Sequence, residues 1–222
     1  MALSFQSGTN KICPKYGYLR EIRGAFYHFQ KNMFINQRLR EINFKIVYWG
    51  PAMSGKTTNL QYIHSHINTE RRSELVSVKT AGERTLYFDF MHIELGEIKG
   101  LKPKFNLYTV PGQAIYSASR NVVLRGAEGI VFVADSQDGL LQDNLTSLAD
   151  LENQLGKLGH QLNEFPFVLQ CNKQDTPTAI PPRALGDQLG LNGQPCLGSI
   201  AARGEGVFDS MKAIISLVMQ RF

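Results

Sequence analysis

Directly behind the apolar run Phe44 to Trp49 (FKIVYW) stands Gly50-Pro51-Ala52-Met53-Ser54-Gly55-Lys56-Thr57. Behind that comes a helical pattern over 55–67, with Leu60, Ile63 and Ile67 on one face. The order fits GxxxxGK[ST] between a strand and a helix, a turn whose backbone wraps a phosphate so that successive N–H groups and the helix N-terminus point at it. In such a turn Lys56 supplies a point charge to the phosphates, and the Thr57 hydroxyl is a ligand for Mg²⁺. The letters alone arise in roughly 1% of chains this long, so the strand and helix on either side carry the weight.

The alternation continues along the chain. An extended section from Thr85 to Leu95 (TLYFDFMHIEL) and a return from Lys104 to Val110 (KFNLYTV), punctuated by Gly96 and Gly100, predict an antiparallel hairpin. Helices are expected around 114–125, around 140–158 and near 207–220, with strands in GIVFVADS (129–136) and PFVLQCNK (166–173). The fold class is therefore α/β: a mostly parallel central sheet with one antiparallel edge hairpin and helices on both faces. Sheets of this kind bind ligands beyond the carboxyl ends of their strands.

Asn172-Lys173-Gln174-Asp175 closes one of those strands. The Asp175 carboxylate can accept from both N1–H and the exocyclic amine of guanine, neither of which adenine offers there, and the Lys173 stem can lie along the purine. Alone, NKxD is a weak signal that also describes a solvated turn. About 115 residues after the phosphate loop, on a later strand of the same sheet, it becomes strong, because the joint chance is roughly a few in ten thousand. GTP is favoured over ATP.

Charge narrows the function classes. Residues 1–32 hold five basic groups (Lys11, Lys15, Arg20, Arg23, Lys31) against Glu21, while residues 33–222 carry 19 basic and 18 acidic groups. A nearly neutral body argues against a nucleic-acid partner, which needs a basic face on the folded domain. Cys13, Cys171 and Cys196 form neither a disulfide framework nor a CxxC metal pattern, which points to a reducing, cytoplasmic setting. Cys171 reads most simply as a buried small hydrophobe. His64 and His66, two apart on a helix, face different directions and make a poor metal pair.

Thr109-Val110-Pro111-Gly112-Gln113 sharpens the reading. Ras-like P-loop GTPases generally carry Asp-x-x-Gly-Gln here, and the threonine departure resembles the bacterial mutual-gliding (MglA) family. Further matching segments are GPxxxGKTTNLQYI at 50–63, ERTLYFDF at 83–90, LGEIKG at 95–100, VFVADS at 131–136 and GVFDSMKA at 206–213. The resemblance implies a small GTPase switch that binds GTP/GDP with Mg²⁺ and hydrolyses GTP, slowly when alone. It also implies a roadblock-type activating partner, and effectors in cell polarity or motility.

Residue by residue, the resemblance implies Thr85 as the switch ligand of Mg²⁺ and the γ-phosphate, beside Thr57. Arg84 becomes an arginine finger supplied in cis, whose plain alternative is a solvated loop charge, and Gln113 orients the attacking water. The implied nucleotide-binding set is Gly50, Ala52, Met53, Ser54, Gly55, Lys56, Thr57, Thr58, Gly112, Asn172, Lys173, Asp175, Ala201 and Ala202. Of these, the Gly112 amide meets the γ-phosphate and the Ala201 amide meets guanine O6.

Two departures stand out. Ala52 replaces the usual glycine, and its Cβ projects toward the place of Gln113 and the water. The alternatives are a slow or locked switch that signals by occupancy, or a loop that relaxes around one methyl. Residues 1–32 lie outside the resemblance, which runs from Met33 to Phe222 as the GTPase domain. Tyr16, Leu19, Arg23, Phe26 and Phe29 suit an amphipathic helix on an anionic membrane surface, which would add a polar or peripheral membrane location. The alternatives are a disordered tail or a native start at Met33.

Overall fold

The computed structural model describes residues 34–36, 40–79, 87–98, 100–112 and 117–222. Its strands are β1 (Phe34–Asn36), β2 (Glu41–Trp49), β3 (Val76–Lys79), β4 (Tyr87–Glu94), β5 (Lys102–Thr109), β6 (Gly129–Asp135), β7 (Phe167–Asn172) and β8 (Cys196–Gly198). The helices are α1 (Lys56–His66), α2 (Ser117–Leu124), α3 (Leu141–Lys157), α4 (Pro182–Gln188) and α5 (Val207–Met219). They build one sheet in the order β3-β4-β5-β2-β6-β7-β8, with β1 paired antiparallel to the start of β2.

From β5 through β2, β6 and β7 to β8 every neighbouring pair is parallel, and the expected hairpin is the antiparallel pair β4–β5. Its turn uses Gly96 and Gly100 at φ 50° and 77°, a backbone region that favours glycine. β3 extends this antiparallel edge on the far side of β4. β1, β3, β8 and α4 have three to seven residues each, too short to show a period in the sequence.

The burial pattern explains why the central strands read as continuous apolar runs. All seven residues of β6 and all six of β7 are buried, because helices cover both faces. On one face Phe44, Ile46, Val131 and Val168 pack with Leu60 and Ile63 of α1 and Ile214 and Val218 of α5. On the other, Trp49, Phe132 and Leu169 pack with Val123 of α2, Leu151 and Leu155 of α3 and Leu185 of α4. β5 lies nearer the edge and alternates, burying Phe105, Leu107 and Thr109 between half-buried Lys104, Asn106 and Tyr108.

The registers bring the strand ends to one rim. Tyr48 pairs with Thr109, Trp49 with Phe132, Asp135 with Asn172 and Cys171 with Gly198. The loops after β2, β5, β6, β7 and β8 therefore leave the sheet together.

Candidate functional site

The phosphate loop is shaped by backbone that only particular residues tolerate. Gly50 and Gly55 hold φ of 143° and 105°, and Met53 holds 60°. A Cβ on Gly50 would run into the Val133 carbonyl, and one on Gly55 into the Asn172 side chain, so both glycines answer a close approach as well as a dihedral. Lys56 is 6% exposed and folds back over its own loop, its Nζ donating to the carbonyls of Gly50 (3.0 Å) and Pro51 (2.5 Å). Burial, with help from the Arg120 charge and against that of Asp89, pulls the ammonium pKa down to about 7.

The next loop touches the first. A Cβ on Gly112 would overlap the backbone N and Cα of Ala52, so the Val110-Pro111-Gly112 turn lies directly on the phosphate loop. Ala52, Met53 and Thr57 are exposed on the rim, while Ser54 is buried.

The structure also shows what accompanies the threonine that replaces the usual aspartate. Asp89 of β4, 2% exposed, accepts at Oδ2 from Thr57 Oγ1 (2.6 Å) and Thr109 Oγ1 (2.9 Å), and at Oδ1 from Ser77 Oγ (2.7 Å). Its own N–H donates to Thr109 Oγ1 (2.9 Å). A carboxylate thus reaches the Thr57 hydroxyl from the neighbouring strand, with Thr109 orienting it. Sequence reading missed Asp89. The available signal was its parity: a carboxylate on the same buried face as Met91 and Ile93 in an alternating strand.

The base-reading loop is fastened to the phosphate loop through Asn172. Its Nδ2 donates to the Ser54 carbonyl (2.7 Å), and its Oδ1 accepts from Ser199 Oγ (3.1 Å) and the Ala201 N–H (2.9 Å). The Ala201 amide, expected at guanine O6, thus points at Asn172, while Ala202 beside it is exposed. Lys173 sits at φ 66° with Nζ 2.5 Å from Asp135 Oδ2, a partner the sequence did not reveal. Asp175 stands 3.6 Å from the Arg203 guanidinium. Behind the rim, Asn59 Nδ2 holds the Gly55 carbonyl, and Gln170 Nε2 donates to Asn59 Oδ1 and Ser210 Oγ, a buried polar line from the loop to α5.

Arg84, Thr85 and Gln113, the expected catalytic residues, lie outside the described residues, as do residues 1–32. His64 and His66 diverge as expected, His64 toward Arg72 and Glu74 and His66 stacked on Tyr62 at 3.9 Å. Among the described residues, no helix is long and apolar enough to cross a membrane.

A glycine-bracketed phosphate loop and an NKxD loop on one rim of a doubly covered parallel sheet, joined through one asparagine, define a guanine-nucleotide-binding switch of the small GTPase class. The family model described as ADP-ribosylation factor family matches residues 30–217. The mutual gliding-motility protein MglA of Myxococcus xanthus is 47% identical over 186 residues, covering 84% of this chain and 95% of that protein. ADP-ribosylation factor-like protein 6 of Caenorhabditis elegans is 26% identical over 157 residues, covering 69% of this chain and 71% of its own. The chain belongs to the ADP-ribosylation factor family as an MglA-like small GTPase, a GTP hydrolase.

Proposed function

We propose that this GTPase is a Mg²⁺-dependent polarity or motility switch whose slow turnover is completed by a roadblock-type activating partner, with residues 33–222 as the GTPase domain. The observation that carries the nucleotide site is the Asn172 Nδ2 bond to the Ser54 carbonyl, which holds the base and phosphate loops at one spacing. The regulatory reading rests on the resemblance to the gliding-motility protein. GTP turnover measured with and without a roadblock-fold protein from the same genome tests it. Stimulation of at least about 10³-fold is expected from a correctly placed arginine, and an unchanged rate would sink the partner.

The residues present fit a magnesium ion. Mg²⁺ takes hard oxygen ligands and relies on one or two side chains plus substrate phosphates, and Thr57 with Asp89 behind it offers that donor chemistry. Among the described residues no group of three His, Cys, Asp or Glu could cage a metal without the nucleotide. When bound, the ion neutralises charge on the β- and γ-phosphate oxygens. The amides of Gly50 and of residues 52–58 then cradle the phosphates, Lys56 and the Gly112 amide meet the terminal phosphate, and Asp175 with the Lys173 stem reads guanine. The Ala201 amide, with Ala202 exposed beside it, is the donor proposed for guanine O6 and would exchange its bond to Asn172 Oδ1 for the base. Thr85, Arg84 and Gln113 complete the catalytic set.

Lys56 gives a pH signature. Without nucleotide its proton leaves near pH 7, whereas the unfolded chain keeps it to about 10.4. The nucleotide-free protein therefore gains stability as pH rises between those values. A phosphate tail restores the charge, so nucleotide binding is expected to take up about half a proton at pH 7 and approach one by about pH 8.5. Calorimetry in buffers of different ionisation enthalpy reads this directly, and zero uptake at both pH values would refute it.

A second reading, a switch held on by slow hydrolysis, is favoured by the contact between Gly112 and Ala52. That contact brings the exposed Ala52 side chain next to the segment leading into Gln113. Ala52→Gly is expected to raise single-turnover hydrolysis about tenfold, within the penalty that a displacement of order 1 Å imposes. Equal rates in the two proteins would leave the loop relaxed around its methyl.

A further inference from the structure

Two cysteines that the sequence separates by 25 positions meet behind the guanine rim. Cys171 is the penultimate residue of β7 and Cys196 the first of β8, and their sulfurs stand 3.5 Å apart. Cys171 is buried and Cys196 half-buried. The Cys196 thiol also donates to the Pro182 carbonyl at 2.9 Å, which holds it on the Cys171 side of the strand pair. We propose that Cys171 and Cys196 form a peroxide-oxidisable disulfide site that loosens the guanine pocket; the second half of this rests on the nucleotide site described above.

Closing the bond brings the sulfurs from 3.5 Å to about 2.0 Å. The strands are staggered, since Cys196 pairs with Leu169 and Cys171 with Gly198. Diagonal neighbours on paired strands lie about 7–8 Å apart, beyond the span a disulfide closes without backbone movement. β7 is clamped between β6 and β8, whereas β8 is a three-residue strand at the sheet edge, so the shift falls on β8. Directly behind it come Ser199 and Ala201, whose hydroxyl and amide hold Asn172 Oδ1, and the Ser199 N–H, which donates to the Cys171 carbonyl (2.9 Å). A displaced β8 therefore breaks the bonds that place Asn172 between the base loop and the phosphate loop.

The chemistry balances with a peroxide as oxidant. The Cys196 thiolate attacks one oxygen of hydrogen peroxide and breaks the O–O bond. The hydroxide released takes a proton and leaves as water. The Cys171 sulfur then attacks the sulfenic sulfur, and the second oxygen departs as water carrying the Cys171 proton. Two thiols lose two electrons, and one peroxide becomes two waters. The division of roles follows the contact: the hydrogen bond from Cys171 favours the Cys196 thiolate and lowers its pKa, while the same bond and burial push Cys171 up.

The test uses the full chain, because Cys13 is a third thiol. Wild type, Cys196→Ser, Cys171→Ser and Cys13→Ser are loaded with a fluorescent GDP and treated with hydrogen peroxide. Linked tryptic peptides are then mapped and nucleotide release is timed. Wild type and Cys13→Ser are expected to yield the peptide of residues 158–173 linked to that of residues 184–203. Their release should quicken about tenfold, the scale of one lost hydrogen bond, and a thiol reductant should reverse it. Cys196→Ser and Cys171→Ser should show neither change. A Cys196 sulfinic acid with no linked peptide would overturn the disulfide, and linkage without faster release would overturn the coupling. Failure of the reduced wild type to hold GDP at all would instead count against the nucleotide reading, since peptide mapping does not depend on it.

Discussion

Gly112→Ala is expected to lower single-turnover GTP hydrolysis by at least about 100-fold, the loss that follows from a displacement of order 1 Å at a reacting centre. A Cβ at this position has no room: it would overlap the backbone N and Cα of Ala52 and the carbonyl carbon of Pro51. Neither neighbour is the free end of a side chain, so the whole Val110-Pro111-Gly112 turn must lift from the phosphate loop. Gln113, next in the chain and proposed to orient the attacking water, would be carried along with it. The phosphate loop keeps its own glycines, its Lys56 contacts and its tie to Asn172. Guanine-nucleotide affinity should therefore change much less than the rate. Single-turnover assays beside equilibrium titration with labelled GDP separate the two, and a rate within about twofold of wild type would show that the turn does not carry Gln113.

Asp89→Asn is expected to weaken Mg²⁺-dependent GTP affinity by about 10–100-fold, the usual loss when a carboxylate that orients a metal ligand is removed. The substitution keeps the volume but removes the charge and turns one acceptor into a donor. Oδ2 serves two hydroxyls, Thr57 at 2.6 Å and Thr109 at 2.9 Å, and both are buried or half-buried bonds. An amide nitrogen in that place faces two hydroxyls without satisfying either as acceptor. Titrating nucleotide with and without excess Mg²⁺ measures the effect. Equal weakening in both conditions would make Asp89 a structural residue rather than one that serves the ion. The companion change, Thr109→Asp, writes the common Ras-like motif into this chain and should still do harm. It sets two carboxylates at hydrogen-bond distance in a buried place, where like charges repel.

The loops could be read from the sequence because their chemistry is made by neighbours along the chain. Gly50 to Thr57 puts the residues proposed to cradle phosphate side by side on one turn, and Asn172 to Asp175 offers a carboxylate on another, so spacing alone shows them. The strands between them could be read because burial on both faces writes an unbroken apolar run, as in Gly129–Asp135. The edges were harder: β1, β3 and β8 hold three or four residues each, and their pairing comes from neighbours rather than from their own pattern.

By itself, then, the sequence determined a GTPase-like sheet, its phosphate and guanine loops and the departure at Thr109, all of them local. Only the tertiary structure decided how those parts are braced. Asp89 meets Thr57 across 32 positions, Asn172 meets Ser54 across 118 and Cys171 meets Cys196 across 25. Each of these meetings depends on strand order and register, and a one-residue slip would turn every such side chain to the opposite face of the sheet.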